Sequence, residues 1–165
     1  MSSVLDMKPN AKEPDTGFEQ KAKLAKKLTG VLADTYVLML KTQAYHWNVV
    51  GPLFVSIHTL TEEHYEDMFK AADDLAERIR ALGQLAPTRA SSLLAATALP
   101  EDSGTTSAKE MVANLVADHE TASRRLREVA SIADEHEDHV TADILTERLE
   151  FHEKAIWMLG AIITS

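Results

Sequence analysis

Four side chains that can bind a metal ion stand on one stretch of predicted helix: His58, Glu62, Asp73 and Glu77. At about 100° per residue they fall within an arc of roughly 100°, so they share one helix face. At about 1.5 Å rise per residue, however, His58 and Glu77 are separated by roughly 28 Å along the axis. One copy of this helix therefore cannot bring all four to one ion.

A second copy of the same helix would solve this separation. If two copies pack antiparallel about a two-fold axis between Asp67 and Met68, the four residues meet in pairs. His58 of one copy then lies opposite Glu77 of the other, and Glu62 of one copy lies opposite Asp73 of the other. Because such an interface is isologous, it would build two identical sites with ligands from both chains.

His46 adds a second imidazole to this set. It ends the preceding predicted helix, just before a Gly51-Pro52 break, and is placed to reach His58. Two imidazoles and three carboxylates suit Fe(II) and, less selectively, Zn(II) or Mn(II). The alternative is that these residues form a solvated polar stripe that binds no metal.

A di-iron site inside a single bundle is disfavoured. That site needs Glu-x-x-His on two helices, so that both ligands face the bundle centre. The sequence contains no such pair; Glu62 is followed three residues later by Tyr65, and Glu63 by Glu66.

Apolar residues at spacings of three, four and seven predict the helices that position these side chains. Four long helices are expected, over about 18–48, 56–82, 107–135 and 140–163. No stretch alternates with a period of two. The prediction is an all-α, ferritin-like four-helix bundle, with short links between helices 1 and 2 and between helices 3 and 4.

The segment 83–106 reads as one long crossover with a short extra helix of its own in the stretch SSLLAATAL. Ser107 and Glu110 have the spacing of a capping box at the start of the next helix. Residues 1–16 are polar and predict a flexible N-terminal arm, which leaves 17–165 as the bundle domain.

Composition narrows the function classes. The chain has 165 residues, which suits one domain, and a formal net charge of -9 that disfavours uniform nucleic-acid binding. Absence of cysteine excludes disulfides and thiolate metal sites. No apolar stretch reaches the ~20 residues of a membrane span, so a soluble cytoplasmic protein without membrane partners is the default expectation.

The run AYHWNVVGPLFVSIHTLTEEHYEDMFKAADDLAERIRALG resembles the signature of the Dps family, the ferritin-like mini-ferritins named as DNA-binding proteins from starved cells. The later VTADILTERLEFHEKAIWML resembles the last helix of that family. The resemblance implies a hollow shell of twelve subunits that oxidises Fe(II), preferably with hydrogen peroxide. It also implies storage of ferric mineral and protection of DNA from oxidative damage.

The family pattern assigns the iron ligands by position: His46, His58, Glu62, Asp73 and Glu77. Glu62 departs from the pattern, because the family commonly has Asp there, and we expect an altered geometry with the site retained. Trp47 follows the first ligand, where the resemblance implies an auxiliary residue that takes up stray oxidising equivalents. It could equally be a packed helix-end aromatic.

The resemblance also implies an iron-entry pore at each three-fold axis of the shell, lined by acidic residues from the start of the last helix. The candidates are Asp134, Asp138 and Asp143, which would concentrate cations if copies met on an axis. His139 stands where a neighbouring acid often occurs in the family. A solvated loop between helices is the alternative for each of these residues.

Direct DNA binding is expected to be weak or absent. The arm holds only Lys8 and Lys12 against three acids, and the basic run Lys21–Lys27 falls on the first helix. A non-enzymatic, nucleoid-associated or zinc-binding shell remains the alternative function. The remaining histidines are expected to be surface or interface residues and not ligands: His64, His119, His136 and His152.

Overall fold

A computed structural model describes residue 17, residues 19–104 and residues 107–164 of the chain. It contains five helices over these residues: α1 Lys21–Asn48, α2 Phe54–Ala81, α3 Ala90–Ala96, α4 Ala108–Glu135 and α5 His139–Ile163. The pairs α1–α2 and α4–α5 make the most extensive packing contacts, and α1 also packs on α4. The predicted all-α bundle with a short helix in its long crossover is therefore confirmed. The predicted arm lies outside the described residues.

Local sequence signals explain where the helices begin. Ser107 precedes α4, and its Oγ accepts a hydrogen bond from the backbone N–H of Glu110 at 3.2 Å, as the capping-box spacing predicts. Asp138 precedes α5 and accepts from the N–H of Thr141 in the same manner. Helix α2 begins two residues earlier than expected. Gly51 adopts φ 106° in the turn before it, a conformation that favours glycine.

The long crossover is tied to α1 by buried polar groups. One carboxylate oxygen of Asp34 accepts from the Thr97 hydroxyl and the Ala98 N–H, both at 2.7 Å. The Lys41 ammonium donates to the Pro100 carbonyl and to the carboxylate of Asp118, both at 2.6 Å. These contacts compensate the charges that the bundle would otherwise bury alone.

A second ion pair joins α4 to the same region. Arg125 lies 3.0 Å from the second carboxylate oxygen of Asp34 and donates to the carbonyls of Gly30 and Ala96. A Cβ atom built on Gly30 would lie 2.9 Å from a terminal nitrogen of Arg125. The glycine therefore leaves the space in which the guanidinium sits.

The core consists of two apolar clusters. One gathers the first half of α1 with the ends of α2 and α4, including Leu28, Leu75 and Leu126. The other gathers the end of α1 with the starts of α2 and α4, including Leu38, Ile57 and Leu115. Between them, on α2, α4 and α5, is a mostly polar group that we call the middle layer: His64, His119, Ser123, Arg148, Phe151 and His152. Among the described helices, none is long and apolar enough to cross a membrane.

Candidate metal site

His46 and His58 meet across the turn between α1 and α2. Their rings stack with centroids 3.7 Å apart and planes 16° from parallel. Nδ1 of His46 lies 2.8 Å from the backbone oxygen of His58, and Nδ1 of His58 lies 2.9 Å from the backbone oxygen of His46. The predicted contact between the two histidines is present in the structure.

The two reciprocal hydrogen bonds fix the tautomers. A carbonyl oxygen can only accept, so Nδ1 of each ring must carry the proton and donate it. In the neutral ring, Nε2 then keeps its lone pair. Backbone carbonyls commonly hold metal-binding histidines in this way, which fixes the ring orientation and raises the basicity of the ligand nitrogen. Both rings are therefore prepared to bind a cation through Nε2.

Two aromatic side chains flank the histidine pair. Phe54 stacks on His58 with centroids 4.9 Å apart, and Tyr65 packs edge-on against His46 at 5.3 Å. Desolvation and the neighbouring Glu62 and Glu66 carboxylates raise the pKa of Tyr65, so the phenol stays protonated near neutral pH. The sequence analysis assigned no role at the site to either aromatic residue, although each lies one helical turn from a predicted ligand.

The three predicted carboxylates are exposed on α2, which runs without interruption from Phe54 to Ala81. Glu62 stands one turn beyond His58. Asp73 and Glu77 stand about three and about four turns beyond Glu62, so the separation expected from the helical rise applies. Among the described residues, no three His, Asp or Glu side chains are grouped to hold a metal ion. A single chain thus presents the histidine pair and the distant carboxylates separately.

Large apolar side chains share the face of α2 that carries these carboxylates. Val55 is 71% exposed and Phe69 is 67% exposed, and both lie within the same helical arc as Glu62 and Asp73. Exposed apolar surface rimmed by charged groups is typical of a protein–protein contact.

Trp47 is 62% exposed beside His46. Within this chain it is not the packed helix-end aromatic that one expectation described.

The acidic residues before and in α5 occupy different environments. Asp134 and Asp143 are exposed, whereas Asp138 is only 5% exposed. Arg78 donates to both carboxylate oxygens of Asp138, at 2.7 and 2.9 Å. Burial alone would raise the pKa of Asp138, but hydrogen bonds from Arg78 and Thr141 outweigh it and lower that pKa. Asp138 thus caps a helix and pairs with an arginine, and of the three pore candidates only Asp134 and Asp143 expose their carboxylates in this chain.

The expectation for three other histidines was wrong. His64, His119 and His152 are buried in the middle layer, and only His136 is partly exposed. Nδ1 of His119 lies 2.8 Å from Nδ1 of His152, so one ring donates to the other. Desolvation lowers the pKa of His64 to about 4, that of His152 to about 3, and that of His119 well below its usual range. These rings are neutral near pH 7.

Comparisons with known proteins agree with this architecture. Residues 25–165 match the family model of the ferritin-like domain. A low temperature-induced protein of Nostoc sp. is 46% identical over 147 residues, which cover 88% of this chain and 82% of that protein. The DNA protection during starvation protein of Helicobacter pylori is 34% identical over 130 residues, 78% of this chain and 90% of that protein.

A solved structure extends the likeness to three dimensions. Dps from Thermosynechococcus elongatus matches with a TM-score of 0.85 and 30% identity, over 88% of this chain and 92% of that one. The bundle is thus a ferritin-like domain. Within that class, the chain belongs to the Dps family, as its sequence signature predicted.

Proposed function

We propose that this protein is a ferroxidase and iron-storage mini-ferritin. It oxidises Fe(II), preferably with hydrogen peroxide, at sites shared between subunits, and it stores ferric mineral inside a shell of twelve subunits. Iron is the substrate, and the ligands are His46, His58 and Glu62 from one chain with Asp73 and Glu77 from another.

The observation that carries this proposal is the reciprocal bonding of His46 and His58. Each ring gives its Nδ1 proton to the other residue's backbone, and each keeps Nε2 for a cation. If the two histidines were merely part of a solvated polar stripe, water would satisfy their Nδ1 atoms and no reciprocal hydrogen bonds would be expected. Imidazole with carboxylate oxygens is a donor set that Fe(II) accepts, and the carboxylates also stabilise Fe(III) after oxidation.

The second chain enters through the exposed face of α2. Antiparallel packing about an axis between Asp67 and Met68 brings Glu77 of one copy opposite His58 of the other. The same packing covers Val55 and Phe69, which a single chain leaves exposed. Apolar burial and completion of the metal site therefore favour the same dimer.

The reaction balances with peroxide as the electron acceptor. Two ferrous ions lose one electron each, and the O–O bond of one hydrogen peroxide breaks. With two further waters, two FeO(OH) units and four protons form. Because this consumes Fe(II) and peroxide together, it removes the reactants that generate hydroxyl radicals. Exposed Trp47, next to His46, is placed to take up oxidising equivalents that escape the ligands.

Iron entry is proposed to use Asp134 and Asp143, whose exposed carboxylates could meet copies of themselves at a three-fold axis. The cytoplasm is the proposed setting, since iron, peroxide and DNA occur there together. Protection of DNA would be chemical, because the chain carries a net charge of -9 and should bind DNA weakly or not at all.

Mixed shells test the shared site directly. One variant carries His46→Ala and His58→Ala, and the other carries Asp73→Ala and Glu77→Ala. Each variant alone should lose rapid ferric absorbance when anaerobic Fe(II) is followed by peroxide. In a random mixture, half of the dimers combine both variants and hold one intact site of two. Activity should therefore return to about a quarter of the wild-type value.

A mixture as inactive as its components would overturn the shared site. The His46→Ala, His58→Ala, Asp73→Ala variant sets the baseline, and His139→Ala, an exposed histidine outside the site, is the matched control. A wild-type shell that binds Zn(II) but oxidises no iron would instead favour the non-enzymatic alternative. Tight DNA complexes in a gel shift at moderate salt would contradict the chemical route of protection.

A further inference from the structure

The middle layer concentrates polar atoms that have no hydrogen-bond partner. Over the described residues, seven buried side-chain nitrogen or oxygen atoms lack one, and five of them belong to this layer. They are Nδ1 of His64, Nε2 of His119, Oγ of Ser123, and Nε and Nη2 of Arg148. Buried polar groups without a partner are costly and uncommon in folded proteins, so such a concentration indicates a bound polar species.

Arg148 gives the clearest indication of what that species is. Its Nη1 donates to Asp67 at 2.6 Å, and its guanidinium carbon lies 4.3 Å from the centroid of Phe151. The side chain is only 9% exposed. The two free nitrogens, Nε and Nη2, form one edge of the guanidinium, and that edge donates two parallel hydrogen bonds. A planar group with two oxygens fits it best.

The helix register brings a hydroxyl close to this edge. Helices α4 and α5 run antiparallel, and His119 contacts His152 between them. Moving four residues toward the end of α4 reaches Ser123, and moving four residues toward the start of α5 reaches Arg148. These two residues therefore face each other one turn from the histidine contact. Ser123 is 9% exposed, and its Oγ is itself unpartnered.

The electrostatics of the layer favour an anion over a cation. Burial, together with the charge of Arg148, lowers the pKa of His152 to about 3, so this imidazole is neutral. The half-exposed Asp67 is the acidic group paired with Arg148, and the described part of the chain groups no three metal-binding side chains here. A buried cation would meet an arginine, whereas a monovalent anion would meet the two guanidinium nitrogens that Asp67 does not bind.

We propose that the middle layer binds a small planar oxyanion of the formate, nitrate or bicarbonate type, held by Arg148 and Ser123. Asp67 lines two surface cavities, of about 210 and 440 Å³, and Arg148 lines the larger one. An anion would approach the guanidinium from this larger cavity. Neither Arg148 nor Ser123 is a proposed iron ligand, and the proposal does not depend on the proposed ferroxidase function.

The test measures thermal unfolding of the assembled protein at fixed pH and ionic strength, while sodium formate or nitrate replaces sodium chloride. A specific site predicts a Tm that rises with the logarithm of anion concentration above the dissociation constant, by roughly 3 °C at ten times that constant. Arg148→Lys keeps the charge but removes the two-donor edge, so this rise over the chloride reference should vanish. Arg127→Lys, at an exposed arginine paired with Glu153, is the matched control and should keep the response.

A second measurement covers the case in which Arg148→Lys does not fold. The NMR signal of [13C]formate should broaden in the presence of wild-type protein, and Ser123→Ala should weaken that broadening several-fold. The His46→Ala, His58→Ala variant should broaden the signal as the wild type does, which separates this site from the iron site. Equal Tm responses in wild type and Arg148→Lys, or no formate broadening with wild type, would overturn the proposal. So would a crystal grown in nitrate that shows only water at Arg148.

Discussion

The molecule holds two groups of histidines that differ in almost every physical property. His46 and His58 lie where α1 turns into α2, and each donates its Nδ1 proton to a backbone carbonyl of the other. His119 and His152 lie in the bundle core, and one imidazole donates to the other. The first pair keeps both Nε2 atoms for an outside cation. The second uses a lone pair internally, and desolvation keeps its rings neutral.

The comparison shows that the partner of Nδ1 determines what a histidine can do. A backbone carbonyl cannot donate, so it leaves the ring in one tautomer with a known free nitrogen. Another imidazole can either donate or accept, so it stabilises the helix contact without presenting a ligand. Residue type alone does not separate these roles.

The largest expected difference between the groups is in catalysis. His46→Gln with His58→Gln should reduce peroxide-dependent iron oxidation by at least about 100-fold, the loss that even indirect changes at metal sites reach. His119→Gln with His152→Gln should leave the rate per assembled shell within about twofold of wild type. Stopped-flow ferric absorbance measures both. Similar losses in the two double variants would remove the distinction.

The effects on stability should have the reverse order, with a larger loss from a substitution in the core group than from one at the metal site. His119 is fully buried, so His119→Ala should lower the free energy of unfolding by about 3 kcal/mol through loss of packing. His58 is half-buried at the surface, and His58→Ala should cost less than about 1 kcal/mol. Urea unfolding at one fixed subunit concentration gives both values. A larger loss for His58→Ala would contradict the assignment of His119 to the core.

Acid should destabilise the protein through the core group. The pKa of His64 is about 4 and that of His152 about 3 when folded, below the 6.5 of an unfolded histidine. Their stabilising contribution is therefore complete above pH 6.5 and is lost as the pH falls toward 4. Each contributes up to about 1.4 kcal/mol per pH unit in that window. Between pH 7 and pH 4, the free energy of unfolding should fall less steeply with pH in the His119→Gln, His152→Gln variant than in the wild type. Equal slopes in the two proteins would refute this origin.

The smallest effects concern the two aspartates near the start of α5. Asp138→Asn should lower the free energy of unfolding by about 1 to 2 kcal/mol, because it weakens the helix cap and the bond to Arg78. Asp143→Asn should leave stability within about 0.5 kcal/mol but slow iron uptake into the shell. Calorimetry and uptake assays read the two effects separately. A destabilised Asp143→Asn would show that exposure does not distinguish these residues.

Much of the fold could be predicted because its signals are local. Apolar spacing located all four long helices, and the Ser107–Glu110 spacing located the start of α4. The short helix in the crossover was also predicted. Buried ion pairs such as Lys41 with Asp118 were not, since they join residues distant in sequence and depend on the bundle being assembled.

The contacts of the candidate site could be predicted from the sequence, but the tautomers of its histidines could not. The contact of His46 with His58 follows from a helix end, a Gly-Pro turn and the next helix start. Their tautomers depend on backbone carbonyls, which the side-chain pattern does not encode. His119 and His152 were misplaced because charged residues adjoin them, yet both lie on the apolar period of their helices, near Leu115 and Leu159.

Gly30 is a point at which the packing of α1, α4 and the crossover depends on one side chain, Arg125. Arg125 occupies the space above that glycine and also holds Asp34, which in turn holds the crossover. A Cβ atom added at Gly30 in α1 would therefore disturb the hydrogen bonds of the crossover, more than sixty residues later in the sequence. Substitutions of Gly30, Arg125 and Asp34 should therefore have non-additive effects on stability.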